Sequence, residues 1–204
     1  MFDFDGTLAD SFPWLTGVMH KIGEKYHLAP LDAQQLEALR GADSRDIMAQ
    51  LGVPFWKIPQ MAAYARQLAG EDIEQITLFA GINDLLQKLF DEGFVLAVVS
   101  SNAQENIKRV LGPHYTALMS YFECGASLSG KEAHIKRVLK QSGIPAGQAM
   151  LIGDEVRDVE AAHKAGVAAG AVSWGYNRRE LLAAHQPGAI FDSPDDVWQH
   201  LKGR

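Results

Sequence analysis

Short apolar runs alternate with longer amphipathic ones along most of this chain. Val95 to Val99 is rich in β-branched residues and stops at Ser100, the pattern of a strand buried on both faces. Ala149 to Ile152 stops at Gly153, and Ala168 to Val172 follows Gly166; both read the same way. Ala189 to Phe191 is a shorter candidate and Tyr121 to Cys124 a weaker one. Between these runs the apolar spacing is helical. Ile82, Leu85, Leu86, Leu89 and Phe90 share one face of a helix over Ile82 to Glu92, which Gly93 ends. Ile135, Val138 and Leu139 form a stripe over Glu132 to Gln141, and Val156 to Ala165 runs up to Gly166. Ser193 is a good cap for a helix over Pro194 to Leu201, with proline at the first helical position. Repeated strand–helix–strand units predict an α/β fold with a parallel sheet and helices on both faces.

Residues 12–78 break that rhythm. Leu15, Val18, Met19 and Ile22, then Ile47, Met48 and Leu51, then Met61, Tyr64, Ala65 and Leu68 are spaced as on helices. Pro30, Gly41, Gly52 and Pro54 punctuate them. The expected organisation is an α/β core made of residues 1–11 and 79–204, with a module of about four helices inserted over residues 12–78. Such a module should sit as a lid over the strand ends. Trp14, Trp56 and Tyr64 are expected in its own core.

Composition narrows the partners. The chain has 204 residues, 47% of them hydrophobic and 22% charged, which is ordinary for a globular protein and excludes disorder. A net charge of −6 argues against nucleic acid and anionic membranes as partners. The single cysteine, Cys124, cannot close an internal disulfide, and the longest apolar runs are strand-length. A cytoplasmic protein is expected, with a homodimer as an open option.

The acidic opening carries candidate chemistry. Asp3 and Asp5 are two apart at the end of an apolar stretch and point to one side if the strand persists. Gly6 permits a sharp turn, and Thr7 offers a hydroxyl and an N–H beside it. Ligands of open α/β sheets bind at the carboxyl ends of the strands. Two acids there suggest Mg²⁺, a hard ion that takes oxygen ligands and suits phosphate substrates. They also suggest a division of labour, one carboxylate attacking and the other moving a proton.

Asp3-Phe4-Asp5-Gly6-Thr7-Leu8 resembles the first motif of the haloacid dehalogenase-like superfamily. Val98-Val99-Ser100-Ser101-Asn102 is similar to its second motif, Lys131 stands where the third places a lysine, and Ile152-Gly153-Asp154-Glu155-Val156-Arg157-Asp158 resembles the fourth. The four occur in order over the whole chain, each at an expected strand end or helix start. The helical insert resembles the small cap of the phosphoglycolate phosphatase-like subfamily. The resemblance implies a five-stranded Rossmann-like sheet with the first-motif strand central.

It implies roles as well. Asp3 is the expected nucleophile, forming an aspartyl-phosphate, and Asp5 the acid and base. Ser100, with Thr7, Ser101 and Asn102, would contact the substrate phosphoryl group, although Ser101 equally suits a helix cap. Lys131 would neutralise charge. Mg²⁺ would be held by Asp3, the backbone carbonyl of Asp5 and Asp154. Asp158 would act through water or by orienting Lys131, and Glu155 is an alternative ligand. Only two residues precede Asp3 where a central strand usually has about five or six, so the native chain is expected to start upstream of Met1.

Substrate choice should lie in the insert. Leu39-Arg40-Gly41-Ala42-Asp43-Ser44 resembles the subfamily's turn that dips toward the site. Arg40 could grip a carboxylate or second phosphate bidentately, or be a surface arginine; Arg45 is a weaker candidate. The expected function is Mg²⁺-dependent hydrolysis of a small phosphorylated metabolite, a phosphoglycolate-like compound among the options. A β-phosphoglucomutase-like transfer and a non-catalytic binding scaffold stay open.

Overall fold

The computed structural model describes residues 1–42, 44–125 and 130–203, apart from the side chains of residues 33, 44, 45 and 55. In chain order its elements are β1 (Ala9–Asp10), α1 (Phe12–Tyr26), α2 (Ala33–Leu39), α3 (Ser44–Gln50), α4 (Ile58–Glu71), β2 (Thr77–Leu78), α5 (Ile82–Asp91) and β3 (Leu96–Val99). There follow α6 (Gln104–Leu118), β4 (Met119–Glu123), α7 (Lys131–Ser142), β5 (Met150–Gly153), α8 (Val156–Ala165), β6 (Ala168–Val172), α9 (Arg179–Ala184), β7 (Ala189–Phe191) and α10 (Pro194–Leu201).

Alternation along the strands builds two cores. Ala97 and Val99 of β3, with Leu151 of β5, pack on one side against Ile135 and Val138 of α7 and Val159 and Ala162 of α8. Val98 and Ile152 point the other way, into a larger cluster with Leu85, Leu86 and Leu89 of α5, Ile107 of α6 and Val197 of α10. Strands covered on both faces need apolar side chains at every position, which is why these segments read as unbroken apolar runs. Gly166 ends α8 in the left-handed region at φ 75°, where its N–H meets the carbonyls of Ala162 and His163. The helix α6 is broken at Gly112–Pro113, since proline lacks the N–H a helix interior needs.

The parallel sheet runs β4–β3, then the chain's opening residues, then β5–β6–β7. Phe2 bridges Val98 on one side and Ile152 on the other. Its N–H donates to Ala97 at 2.8 Å, its carbonyl accepts from Val99 at 2.8 Å, and the Asp3 N–H donates to Ile152 at 2.9 Å. The first motif is therefore central, as the resemblance implied. The sheet has six positions rather than five, because β6 and β7 extend it beyond β5. Leu86 has no exposed surface beneath this sheet. Leu86→Ala is expected to cost about 2–5 kcal/mol and lower the thermal midpoint by roughly 4–20 °C, read by scanning calorimetry.

Residues 12–76 contribute only helices among the described residues. Trp14, Val18, Ile22, Met61 and Leu68 are buried where α1 meets α4, and Asp32 starts α2 with a reciprocal capping box to Gln35. Trp56, expected in that core, is 65% exposed, because the short 3₁₀ turn Phe55–Lys57 carries it outward. The chain enters and leaves this helical stretch through one antiparallel pair, with Ala9 opposite Leu78 and Asp10 opposite Thr77. Among the described residues no helix is long and apolar enough to cross a membrane.

Candidate active site

Four loops converge at the carboxyl edge of the sheet: residues 3–7, residues 100–102 after β3, residues 154–158 after β5, and residues 173–178 after β6. Lys131, the first residue of α7, reaches in from beside β4. The first loop is a tight turn. The carbonyl of Phe4 accepts from the N–H groups of Thr7, Leu8 and Ala9 at 3.2, 2.9 and 2.9 Å. Gly6 sits inside it at φ 76°, and a side-chain carbon there would collide with the Asp154 carboxylate and the Tyr176 ring.

This turn separates the two leading carboxylates, which strand alternation alone would have set side by side. Asp3 is buried below, its Oδ1 accepting from the Phe4 N–H at 2.7 Å. Lys131 Nζ stands 2.6 Å from Asp3 Oδ2 as an ion pair, off the angle of a hydrogen bond. Asp5 is half-buried and lines the open cleft, where Asn102 Nδ2 donates to its Oδ2 at 2.9 Å. Burial pushes Asp3 up to about 6, against the pull of the Lys131 charge. Asp5 is also raised, by burial, against hydrogen bonds from Ser11 and Asn102.

Lys131 is sandwiched between Asp3 and Asp158, the second contact a short hydrogen bond to Asp158 Oδ1. Burial alone would push the ammonium down, yet Asp158 and Asp3 outweigh it and leave Lys131 raised. Burial likewise opposes the charge on Asp158, but Lys131 and Arg157 outweigh it and hold its carboxyl below the usual range. The other oxygen of Asp158 accepts from the Glu155 N–H at 3.0 Å, so both of its oxygens are engaged. Asp154 accepts from the Thr7 hydroxyl at 2.6 Å and the Tyr176 N–H at 2.8 Å. Its carboxyl is raised well above the ordinary value, first by burial and then by Glu155, Asp158 and Asp3.

Asp3, Asp154 and Asp158 each bring one carboxylate oxygen to within 4.8 Å of the others, all three buried. Three buried hard-oxygen donors gathered beside one ammonium form a set that fits a divalent cation such as Mg²⁺. The Asp5 side chain lies outside this group, on the cleft side. Glu155, the alternative ligand, turns its carboxylate to the Arg157 guanidinium, with Nε at 2.9 Å.

The remaining expected residues fall into two groups. Ser100 is buried at the end of β3, its hydroxyl accepting from the Asn102 N–H at 3.1 Å, and Ser101 and Asn102 line the cleft. Neither Ser101 nor Asn102 caps α6, whose N-cap position is Ala103; Asn102 Oδ1 instead accepts from the Ala103 N–H at 2.7 Å, one residue before the helix. Thr7, expected at the substrate, spends its hydroxyl on Asp154 and its N–H on Phe4, so it holds a carboxylate in place instead. Arg40 likewise faces the cleft but is committed to the core: Nη2 donates to the Gly175 carbonyl at 2.9 Å and Nε to that of Tyr176 at 3.2 Å. It latches the α2–α3 turn to the loop after β6, and Asn177 reinforces the latch by donating to the Ala42 carbonyl at 3.1 Å. Asp43 and the side chains of Ser44 and Arg45 lie outside the described residues.

Sequence reading missed Arg66, Arg157, Tyr176 and Asn177. Arg66 of α4 crosses to the core, donating to the Ser101 carbonyl at 3.2 Å. The Tyr176 hydroxyl is 2.8 Å from that of Ser11. None of the four stands at a strand end or in a spaced acidic pair; only the position of Arg157 inside the fourth motif offered a signal.

Comparison with known proteins agrees with this geometry. The family described as haloacid dehalogenase-like hydrolase matches residues 1–172. A phosphoglycolate phosphatase from Synechococcus elongatus is 32% identical over 200 residues, covering 98% of this chain and 94% of the relative. A phosphoglycolate phosphatase from Aliivibrio fischeri is 28% identical, covering 94% and 90%. Among solved structures, one described as a predicted phosphatase from Clostridium acetobutylicum superposes with a TM-score of 0.82 at 25% identity, covering 98% of this chain and 95% of that one. With the four motifs gathered around one buried carboxylate cluster and the family match spanning most of the sequence, this chain belongs to the haloacid dehalogenase-like hydrolase family.

Proposed function

We propose that the protein is a Mg²⁺-dependent phosphatase of small phosphorylated metabolites that works through an aspartyl-phosphate on Asp3. The observation that carries this reading is the split between the two leading carboxylates. Asp3 is fixed and buried beside a cation, while Asp5 opens to the cleft from the far end of the same turn.

In this reading an Asp3 oxygen attacks phosphorus as the bond to the leaving oxygen breaks, and Asp5 gives that oxygen its proton. Water then attacks phosphorus and yields a proton to Asp5. The bond to Asp3 breaks, and inorganic phosphate leaves. Lys131 holds positive charge against Asp3 throughout, and Asp158 fixes the position of Lys131. The Ser100 hydroxyl, whose proton can still be donated, and the Ser101 N–H receive the phosphoryl oxygens. Asp3, Asp154 and the Asp5 carbonyl would hold Mg²⁺, whose charge offsets repulsion between a phosphate dianion and the attacking carboxylate. The raised carboxyl of Asp5 suits a group that must both give and take a proton. The relatives' names make 2-phosphoglycolate one metabolite to assay.

The test is phosphate release from p-nitrophenyl phosphate, with Mg²⁺ and with the metal chelated. Turnover that needs Mg²⁺ and Asp5 is expected; turnover indifferent to both would overturn the proposal. Binding can be read apart from activity. Mg²⁺ at about 100 times its Kd should stabilise the fold by about 2.7 kcal/mol, a rise in thermal midpoint of roughly 5–10 °C for a chain of this size. Asp154→Asn is expected to remove that rise, and the same rise in the variant would exclude Asp154 as a ligand.

A further inference from the structure

The cleft does not end at the catalytic carboxylates. A cavity of about 300 Å³ runs from Asp5, Ser101 and Asn102 up among α1, α2, α3 and α4. Its upper walls are apolar, formed by Leu15, Met19, Leu36, Leu39, Met48 and Met61. Among the described residues, each arginine that borders it also donates to an atom of the core. Arg40 bonds to the Gly175 and Tyr176 carbonyls, Arg66 to the Ser101 carbonyl, and Arg157 to Glu155. Thr16 and Asn177, also at its edge, have their polar groups committed to protein partners, Thr16 to the Pro13 carbonyl and Asn177 to the Val156 N–H and the Ala42 carbonyl.

Size and polarity then select the occupant. At ~30 Å³ per water, the space equals about ten waters, at the small end of ligand pockets. A two-carbon leaving group would fill little of it and leave the apolar walls uncovered. An ionised group carried up to these walls would sit among Met and Leu side chains, where burying charge is costly. Orientation follows from which acids reach the space. Asp5 lines it, whereas Asp3 and Lys131 are not among its walls. The phosphoryl group therefore belongs at the floor, and the leaving oxygen, next to its proton donor, faces upward between the helices.

We propose that the substrate class is phosphate monoesters whose leaving alcohol carries an apolar chain or ring reaching between α1 and α4, in preference to short carboxylated alcohols. This inference rests on the phosphatase reading above and adds the identity of the leaving group.

The test compares ethyl, butyl, hexyl and octyl phosphate with 2-phosphoglycolate, with Mg²⁺ present. The expected kcat/KM rises roughly fourfold per added methylene until the cavity is full. It is expected to be lower for 2-phosphoglycolate than for butyl phosphate. Ala65→Phe, which places a ring in the cavity from α4, should lower the octyl-to-ethyl ratio by roughly tenfold or more. Titration calorimetry of the same esters on the Asp3→Asn protein reads the cavity without chemistry. Binding that tightens with chain length supports the proposal even if no ester is turned over, and in that case it is the phosphatase reading that fails. Binding and kcat/KM that stay flat or fall with chain length, or a preference for 2-phosphoglycolate over every alkyl ester, would overturn it.

Discussion

Asp3→Asn is expected to lower kcat for p-nitrophenyl phosphate by roughly 10⁴-fold or more, the scale seen when an enzyme loses its nucleophile. An amide oxygen is a far weaker nucleophile than a carboxylate, so the attack that makes the aspartyl-phosphate is lost. The shape of the residue is kept, and its oxygen can still accept from the Phe4 N–H. Stability should hold or rise, because burial already disfavours charge on Asp3, whose carboxyl is pushed up to about 6. Lys131 retains Asp158 as a partner. Rapid acid quenching should trap a hydroxylamine-labile phosphoenzyme from the unaltered protein and none from the variant. Residual turnover above roughly 1% in a folded variant would place the nucleophile elsewhere.

Lys131→Met should damage both activity and stability. Removing the ammonium leaves Asp3 and Asp158 facing each other in the interior without the cation between them. Breaking a buried pair by deleting one partner typically costs about 3–5 kcal/mol. For a chain of this size the thermal midpoint should fall by roughly 6–20 °C, and kcat by roughly 10²–10³-fold as transition-state charge loses a stabilising group. Circular dichroism melts and steady-state kinetics at a temperature below both midpoints separate the two effects. A variant that melts with the unaltered protein would show that the sandwich contributes nothing to folding.

Much of the α/β core was legible because its segments obey one period at a time. Helices α8 and α10 and strands β6 and β7 have the bounds that apolar spacing, Gly166 and Ser193 imply. Strand β3 begins one residue later than expected, since Val95 is 45% exposed and stands outside the ladder. The four motif residues Asp3, Ser100, Lys131 and Asp154 were readable because each sits where a strand ends or a helix begins. What escaped was set by contacts distant in sequence. Thr7 turns to Asp154, 147 positions away, and Arg40 to Gly175, 135 positions away. No local pattern records which of two hydrogen-bond partners a hydroxyl or guanidinium will meet. Helix α9 was also missed; only Leu182 of its six residues is buried, too few apolar anchors to show a period.

The antiparallel pair of Ala9–Asp10 with Thr77–Leu78 has a consequence for how such an enzyme could diversify. Entry and exit of the helical stretch are stitched together, so its two attachment points stay a fixed distance apart whatever lies between them. Helices of another length or lining could be exchanged there as a cassette, while the carboxylates below keep their places. Exchanging the stretch between relatives at this seam would carry the choice of leaving group with it and leave the reaction itself unchanged.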